Sequence, residues 1–366
     1  MSLVTFLGIY FVRKAGIDIA TVGAAFLCEH GLRGALAPMF GAWSDRIGRR
    51  ALLLVAALAT AVILPSFLLV TGPAGLFAWS LAMGVAGAVN FPVSNALLLD
   101  LAPVERRQSV LALNYTLMSV AYTLGVSPAG YIAEKGYEFL AWSSGAGYLL
   151  VAGLYAVALR KPLPLEKSAS GVLRNMVSAF RDRMFLLFAL MALVFPLSMG
   201  MVVAASPVFG AEMGLGEGYI GLVLGANSLI VAALAIPAAT RMEARGPFRL
   251  LGGAAALVSA ALFSYALVPG AAAALLVGTV VFSLGEIVFS SAVPAAVAGL
   301  APPGRRGAYQ GGWALVSSLC MGSALVLSGW LKAVVGWQGT WLAYAVLVAA
   351  AAAALFFARD LFRTRA

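Results

Sequence analysis

The stretch Ala51-Leu-Leu-Leu-Val-Ala-Ala-Leu-Ala-Thr-Ala-Val-Ile-Leu-Pro-Ser-Phe-Leu-Leu-Val70 contains no charged residue. As a helix rising 1.5 Å per residue it reaches about 30 Å, the thickness of a bilayer's hydrocarbon core. Phe139–Leu159 and Trp341–Ala358 are uncharged runs of similar length. Lipid cannot hydrogen-bond the backbone, so only helices and closed barrels span it. Barrel strands would alternate polarity over about ten residues, and these runs do not. They predict an all-α membrane protein.

Composition points the same way. Of 366 residues, 62% are hydrophobic and 10% charged, and the mean hydropathy is +0.98. A soluble domain carries roughly 25% charged residues to cover its surface. The net charge of +10 would suggest nucleic acid in a soluble protein. Here the Lys and Arg residues set membrane orientation instead, and no nucleic-acid partner is expected. Cys28 and Cys320 fall inside apolar runs and carry no redox or metal inference.

Turn and charge clusters divide the chain into twelve apolar segments. The first, Met1–Val12, would reach only about 18 Å, so the first helix is expected to be incomplete as numbered. Alternate loops hold nineteen of the basic residues, among them Arg46, Arg49, Arg50, Arg106, Arg107, Arg305 and Arg306. The opposite loops hold four: Arg13, Lys14, Lys135 and Lys332. The positive-inside rule makes the rich side cytoplasmic, together with the C-terminus.

The chain also repeats itself. Leu101-Ala-Pro-Val-Glu-Arg-Arg107 recurs as Leu300-Ala-Pro-Pro-Gly-Arg-Arg306, displaced by 199 residues, and Pro38 and Trp142 match Pro237 and Trp341 at the same shift. This predicts two six-helix halves, 1–159 and 184–358, joined by a cytoplasmic linker, 160–183, and followed by a cytoplasmic tail, 359–366. Parallel repeats place a substrate site between the halves near mid-membrane, with transport by rocking of one half against the other.

The loop after the second segment reads Gly41-Ala-Trp-Ser-Asp45-Arg46-Ile-Gly48-Arg49-Arg50. It resembles the G-x-x-x-D-R-x-G-R-R loop signature of the major facilitator superfamily, between helices 2 and 3. With the segment count and the repeat, the resemblance covers the whole chain apart from the short first helix. It implies that Gly41, Asp45, Arg46, Gly48, Arg49 and Arg50 form a cytoplasmic latch, with Asp45 facing the positive end of a helix in the other half and Arg49 reaching Asp100. The second copy keeps only Arg241, Glu243, Arg245 and Pro247. Gly125-Val-Ser-Pro128-Ala-Gly130 looks like a weakened form of the helix-5 motif of the drug–proton antiporters in that superfamily. The family's usual monomer is the expected state.

Ionisable groups at bilayer depth are functional candidates. Glu286 lies midway along the tenth segment without a local cation, which suits proton binding or cation sensing. Glu29 and Arg33 share a helix face at a spacing of four and read equally as a structural ion pair or a coupling site. His30, the only histidine, points about 100° away; packing is favoured over a relay role. Asn90, Asn114, Tyr115, Asn227 and Gln310 are candidate cavity walls.

The expected function is secondary active transport of a small molecule in the inner (plasma) membrane, with lipid and protons as partners. Proton-coupled efflux of drug-like or amphipathic compounds leads. A sugar or metabolite facilitator or symporter is the alternative, and a non-transporting sensor the remote one. A single histidine, no Cys–His or metal-ligand cluster and no nucleotide-binding glycine pattern argue against an enzyme, a cofactor or a metal site.

Overall fold

The computed structural model describes residues 2–103, 107–159, 179–242, 247–302 and 305–363. Every regular element among them is helical. In chain order they are α1 (Ser2–Ile9, extended by a π turn over Tyr10–Lys14), α2 (Ile19–Ile47), α3 (Arg49–Ile63, then a 3-10 turn over Pro65–Leu69), α4 (Pro73–Leu101), α5 (Arg107–Lys135) and α6 (Tyr137–Ala158). Then come α7 (Arg183–Glu212), α8 (Glu217–Met242), α9 (Pro247–Leu267), α10 (Ala271–Leu300) and α11 (Arg306–Arg363). The expected linker falls mostly on 160–178, outside the described residues.

Eight helices among the described residues are long and apolar enough to cross a membrane. The chain is therefore a multi-pass membrane protein. α2 and α5, of 29 residues each, have the length as well; α2 carries Glu29 and Arg33, and α5 carries Asn114 and several Ser and Thr. These two more polar helices lie against other helices, α2 against α4 and α11, α5 against α8.

The twelve expected segments become eleven elements because 306–363 is one helical run with a single break at Gly336, where φ is 67°. That left-handed conformation is cheap only for glycine. A straight helix of 58 residues would extend about 87 Å. Instead both ends of α11 return to the same side: Gly312 lies beside Phe185 of α7, and Phe356 beside Gly252 of α9. Gly336 thus reverses the chain within one residue and gives α11 two arms. α7 is also irregular, interrupted at Leu193 and wound as a π turn over Met201–Ala205.

Turns of one to five residues join most of the other helices, so neighbours run antiparallel and the bundle has two ends. One end, the arginine-rich end, carries the helix termini near Arg49, Arg107, Arg241, Arg249 and Arg306. The other, the glycine end, carries the turns around Gly16, Gly136, Gly214, Gly270 and Gly336, all at positive φ. Two aromatic clusters stiffen the glycine end. Tyr10 and Phe11 meet Phe67, and Trp341 stacks on Tyr265 with ring centres 4.5 Å apart. Beside the second cluster, Glu212 of α7 accepts hydrogen bonds from Lys332 Nζ and Trp337 Nε1, each 2.7 Å long.

Candidate functional site

The first six helices meet the remainder along two seams, α2 with α11 and α5 with α8. Both are tightest at the glycine end. A Cβ on Gly23 would lie 2.2 Å from the Val326 nitrogen, and one on Gly130 2.3 Å from the Glu217 carbonyl oxygen. Real Cβ atoms do not approach that closely, so glycine is what lets these backbones touch. Ser318 Oγ also donates to the His30 carbonyl at 2.7 Å.

Towards the arginine-rich end the α2–α11 seam opens. At Gly34 only side chains of α11, Ser318 and Leu315, come near; at Gly41 the nearest atom is Pro92 Cβ of α4, 4.0 Å away. The α2–α11 seam is sealed at the glycine end and parted at the arginine-rich end.

At mid-depth between the seams lies a polar cluster. Glu286 on α10 is buried. Asn227 Nδ2 on α8 donates to Glu286 Oε2 at 2.9 Å and to Ser283 Oγ at 3.0 Å, and Ser283 in turn donates to the Thr279 carbonyl at 2.9 Å. From the first six helices, Tyr122 of α5 bonds Thr5 of α1 at 3.0 Å. A buried carboxyl needs compensating hydrogen bonds, and the Asn227 amide supplies one.

Glu286 and Asn227 were separate candidates in the sequence, and the fold unites them across 59 positions. Ser283, Thr5 and Tyr122 were missed. Ser283 sits one turn before Glu286 and could have been found from that spacing; Thr5 and Tyr122 carry no comparable signal.

The other candidates distribute differently. Glu29 and Arg33 form an ion pair at the α2–α4 contact, where a Cβ on Gly87 would lie 2.6 Å from Arg33 Nε. His30 Nδ1 donates to the Phe26 carbonyl at 2.9 Å, and its Cβ packs where Gly322 of α11 leaves room. That is a packing arrangement. Asn114 Nδ2 donates to Asn95 Oδ1 at 3.3 Å. Gln310 Nε2 donates to the Pro294 carbonyl at 2.8 Å, tying α11 to α10. Asn90 is partly buried, and the Tyr115 side chain lies outside the described residues.

Gly125, Pro128 and Gly130 belong to the sealed part of α5. At the arginine-rich end, Arg49 Nε donates to Asp100 Oδ2 at 2.9 Å, and its Nη1 donates to Ser44 Oγ. Ser44 Oγ donates to the Gly41 carbonyl at 2.6 Å. Arg50 Nη2 reaches the Ala156 carbonyl at 3.1 Å, and Gly48 turns the chain at a φ of 94°. The side chains of Asp45 and Arg46 lie outside the described residues.

A seam sealed at one end, parted at the other and carrying a buried carboxyl at mid-depth belongs to a transporter. The family comparison agrees: the Major Facilitator Superfamily model matches residues 1–277 and 188–365. The chain belongs to that superfamily. It is 27% identical over 345 residues to a Na(+), Li(+), K(+)/H(+) antiporter of Planococcus maritimus, covering 83% of this chain and 79% of the relative. It is 23% identical to the multidrug resistance protein MdtH of Photorhabdus laumondii subsp. laumondii, covering 89% and 81%. A crystal structure of a mutant of the nucleoside transporter NupG superposes with a TM-score of 0.79 at 17% identity, covering 97% and 95%. At that identity the likeness concerns the fold.

Proposed function

We propose that the chain is a proton-coupled exporter of small drug-like or amphipathic compounds in the plasma membrane, working by alternating access. The observation that carries this reading is Glu286, buried at mid-depth and bonded to Asn227 between two helix sets that meet at only one end. In this reading residues 1–159 and 184–358 are the two rocking halves, and the two arms of α11 are the eleventh and twelfth spans. The arginine-rich end and the C-terminus are cytoplasmic, so the conformation is inward-open. When the cytoplasmic end closes, Asp45 faces a helix start of the other half, while Arg49 and Asp100 brace the loop that carries it. Glu286 takes a proton from outside as substrate leaves to that side, and releases it to the cytoplasm as the next substrate binds. Two relatives, one named for cation–proton antiport and one for multidrug resistance, support exchange over facilitation. A monovalent cation as cargo is the second reading, favoured by the oxygen atoms of Glu286, Ser283 and Asn227.

Everted vesicles with a fluorescent pH-gradient reporter test the proposal. Lipophilic cations, neutral drugs, sugars, Na+ and K+ are added singly. Proton efflux evoked by a lipophilic compound, and abolished in Glu286→Gln, is the expected result. Efflux evoked by Na+ or K+ alone moves the assignment to cation exchange. Substrate equilibration with no disturbance of the gradient overturns proton coupling.

A further inference from the structure

Most polar contacts at the glycine end stay within one helix set. Lys332, Trp337 and Glu212 all lie in residues 183–363 and would move together. Glu134 is different. It sits in the last turn of α5, and its Oε1 accepts the Gly218 backbone N–H of α8 at 2.8 Å. α8 begins at Glu217, so Gly218 is among the first residues of the helix, whose N–H groups have no partner inside it. The helix start also carries partial positive charge, which favours a carboxylate.

Glycine shapes the seat. A Cβ on Gly216 would lie 2.3 Å from Glu134 Oε1, and one on Gly218 2.9 Å from a Tyr131 ring carbon. Beneath them, Gly130 brings the α5 backbone onto the Glu217 carbonyl. Glu134 is exposed while Gly218 is buried in the seam, so water can receive the carboxylate directly and the freed N–H once the seam parts. A fully buried pair could not separate so cheaply.

We infer that Glu134 is a positioning residue, a clasp that holds the glycine end shut by seating its carboxylate on the start of α8. The inference rests on the alternating-access reading, in which this end must open once per cycle. It requires that loss of the charge, or blocking of the seat, shifts the resting population towards the form open at the glycine end.

Spin labels on exposed turns either side of the seam, at Thr71→Cys and Pro269→Cys in a Cys28→Ser, Cys320→Ser background, report the separation in the purified full-length protein. Glu134→Gln is expected to raise the population of the long distance about two- to fivefold, the scale of a charge at a helix terminus. Gly216→Ala, which displaces the carboxylate without changing charge, is expected to shift it the same way. Glu138→Gln removes a charge from the neighbouring turn and is expected to leave the distances unchanged. Unchanged distances in both Glu134→Gln and Gly216→Ala overturn the clasp, and so does an equal shift in Glu138→Gln. The readout needs no substrate. If vesicles of the parent protein still exchange substrate for protons while the clasp fails its test, the transport reading stands alone.

Discussion

The two ends of the bundle are held by different physics. At the glycine end, backbones of opposing helices touch at Gly23 and Gly130 with no side chain between them. At the arginine-rich end, long side chains such as Arg49 and Arg50 bond carboxylates and carbonyls of nearby helices. Close packing gains its full energy only at contact and loses about a quarter to a half of it within an ångström. Charge-assisted bonds tolerate movement and re-form. On the alternating-access reading the tight surface across the seam gives two discrete states, while the Arg49 and Arg50 bonds, which lie within the first six helices, survive its opening.

The sharpest way to break this comparison is to thicken the tight surface. Gly23→Val forces side-chain atoms into space occupied by Val326. Overpacking costs about 1–3 kcal/mol, so the sealed form is expected to fall at least about fivefold, read by the spin pair described above. A distance distribution like the parent's would show that glycine contact is not what seals this end. Asp100→Asn should do far less. It weakens a partly exposed ion pair within one helix set, worth about 0.2–1 kcal/mol, and is expected to lower the thermal midpoint in detergent slightly while leaving the spin distances alone. A marked shift in those distances would mean the two ends are coupled through α4.

The smallest effect is expected at Asp18, which caps α2 by accepting the Thr21 N–H at 2.9 Å. Hydrogen bonding from the Thr21 side chain and its backbone N–H holds the Asp18 carboxyl below its usual range. A depressed folded-state value means its stabilisation is present above the unfolded value near 4 and lost as pH falls through the folded one. Asp18→Ala is expected to cost about 0.5 kcal/mol at neutral pH, the low end for an exposed cap, and nothing measurable in strong acid. A midpoint difference from the parent that persists in strong acid would assign the stability to something other than the ionised cap.

Much of the fold was legible because hydropathy is a local property. Ala51–Val70 declares its burial without reference to anything distant, and so does Phe139–Leu159. The reversal at Gly336 was not legible, since the sequence there allows a loop over 336–340 as readily as a one-residue turn. The break in α7 and its π turn over Met201–Ala205 had no local signal either. At the site, Glu286 stood out as a charge in an apolar run. Its partnership with Asn227 depends on how α8 and α10 pack, which no spacing rule encodes. Glu134 was overlooked for a related reason: beside Lys135 it looks like an ordinary loop charge, and only the position of Gly216 and Gly218 gives it a place to bind.

The one-residue turn at Gly336 bears on how the molecule can move. A long connecting loop would let the last two arms slide past each other and absorb strain. Here there is no slack, and Thr340 Oγ1 donates back to the Gly336 carbonyl at 2.8 Å. The two arms are joined without slack, so on the alternating-access reading a displacement of the first arm by α2 draws along the second arm and α9, which packs against it.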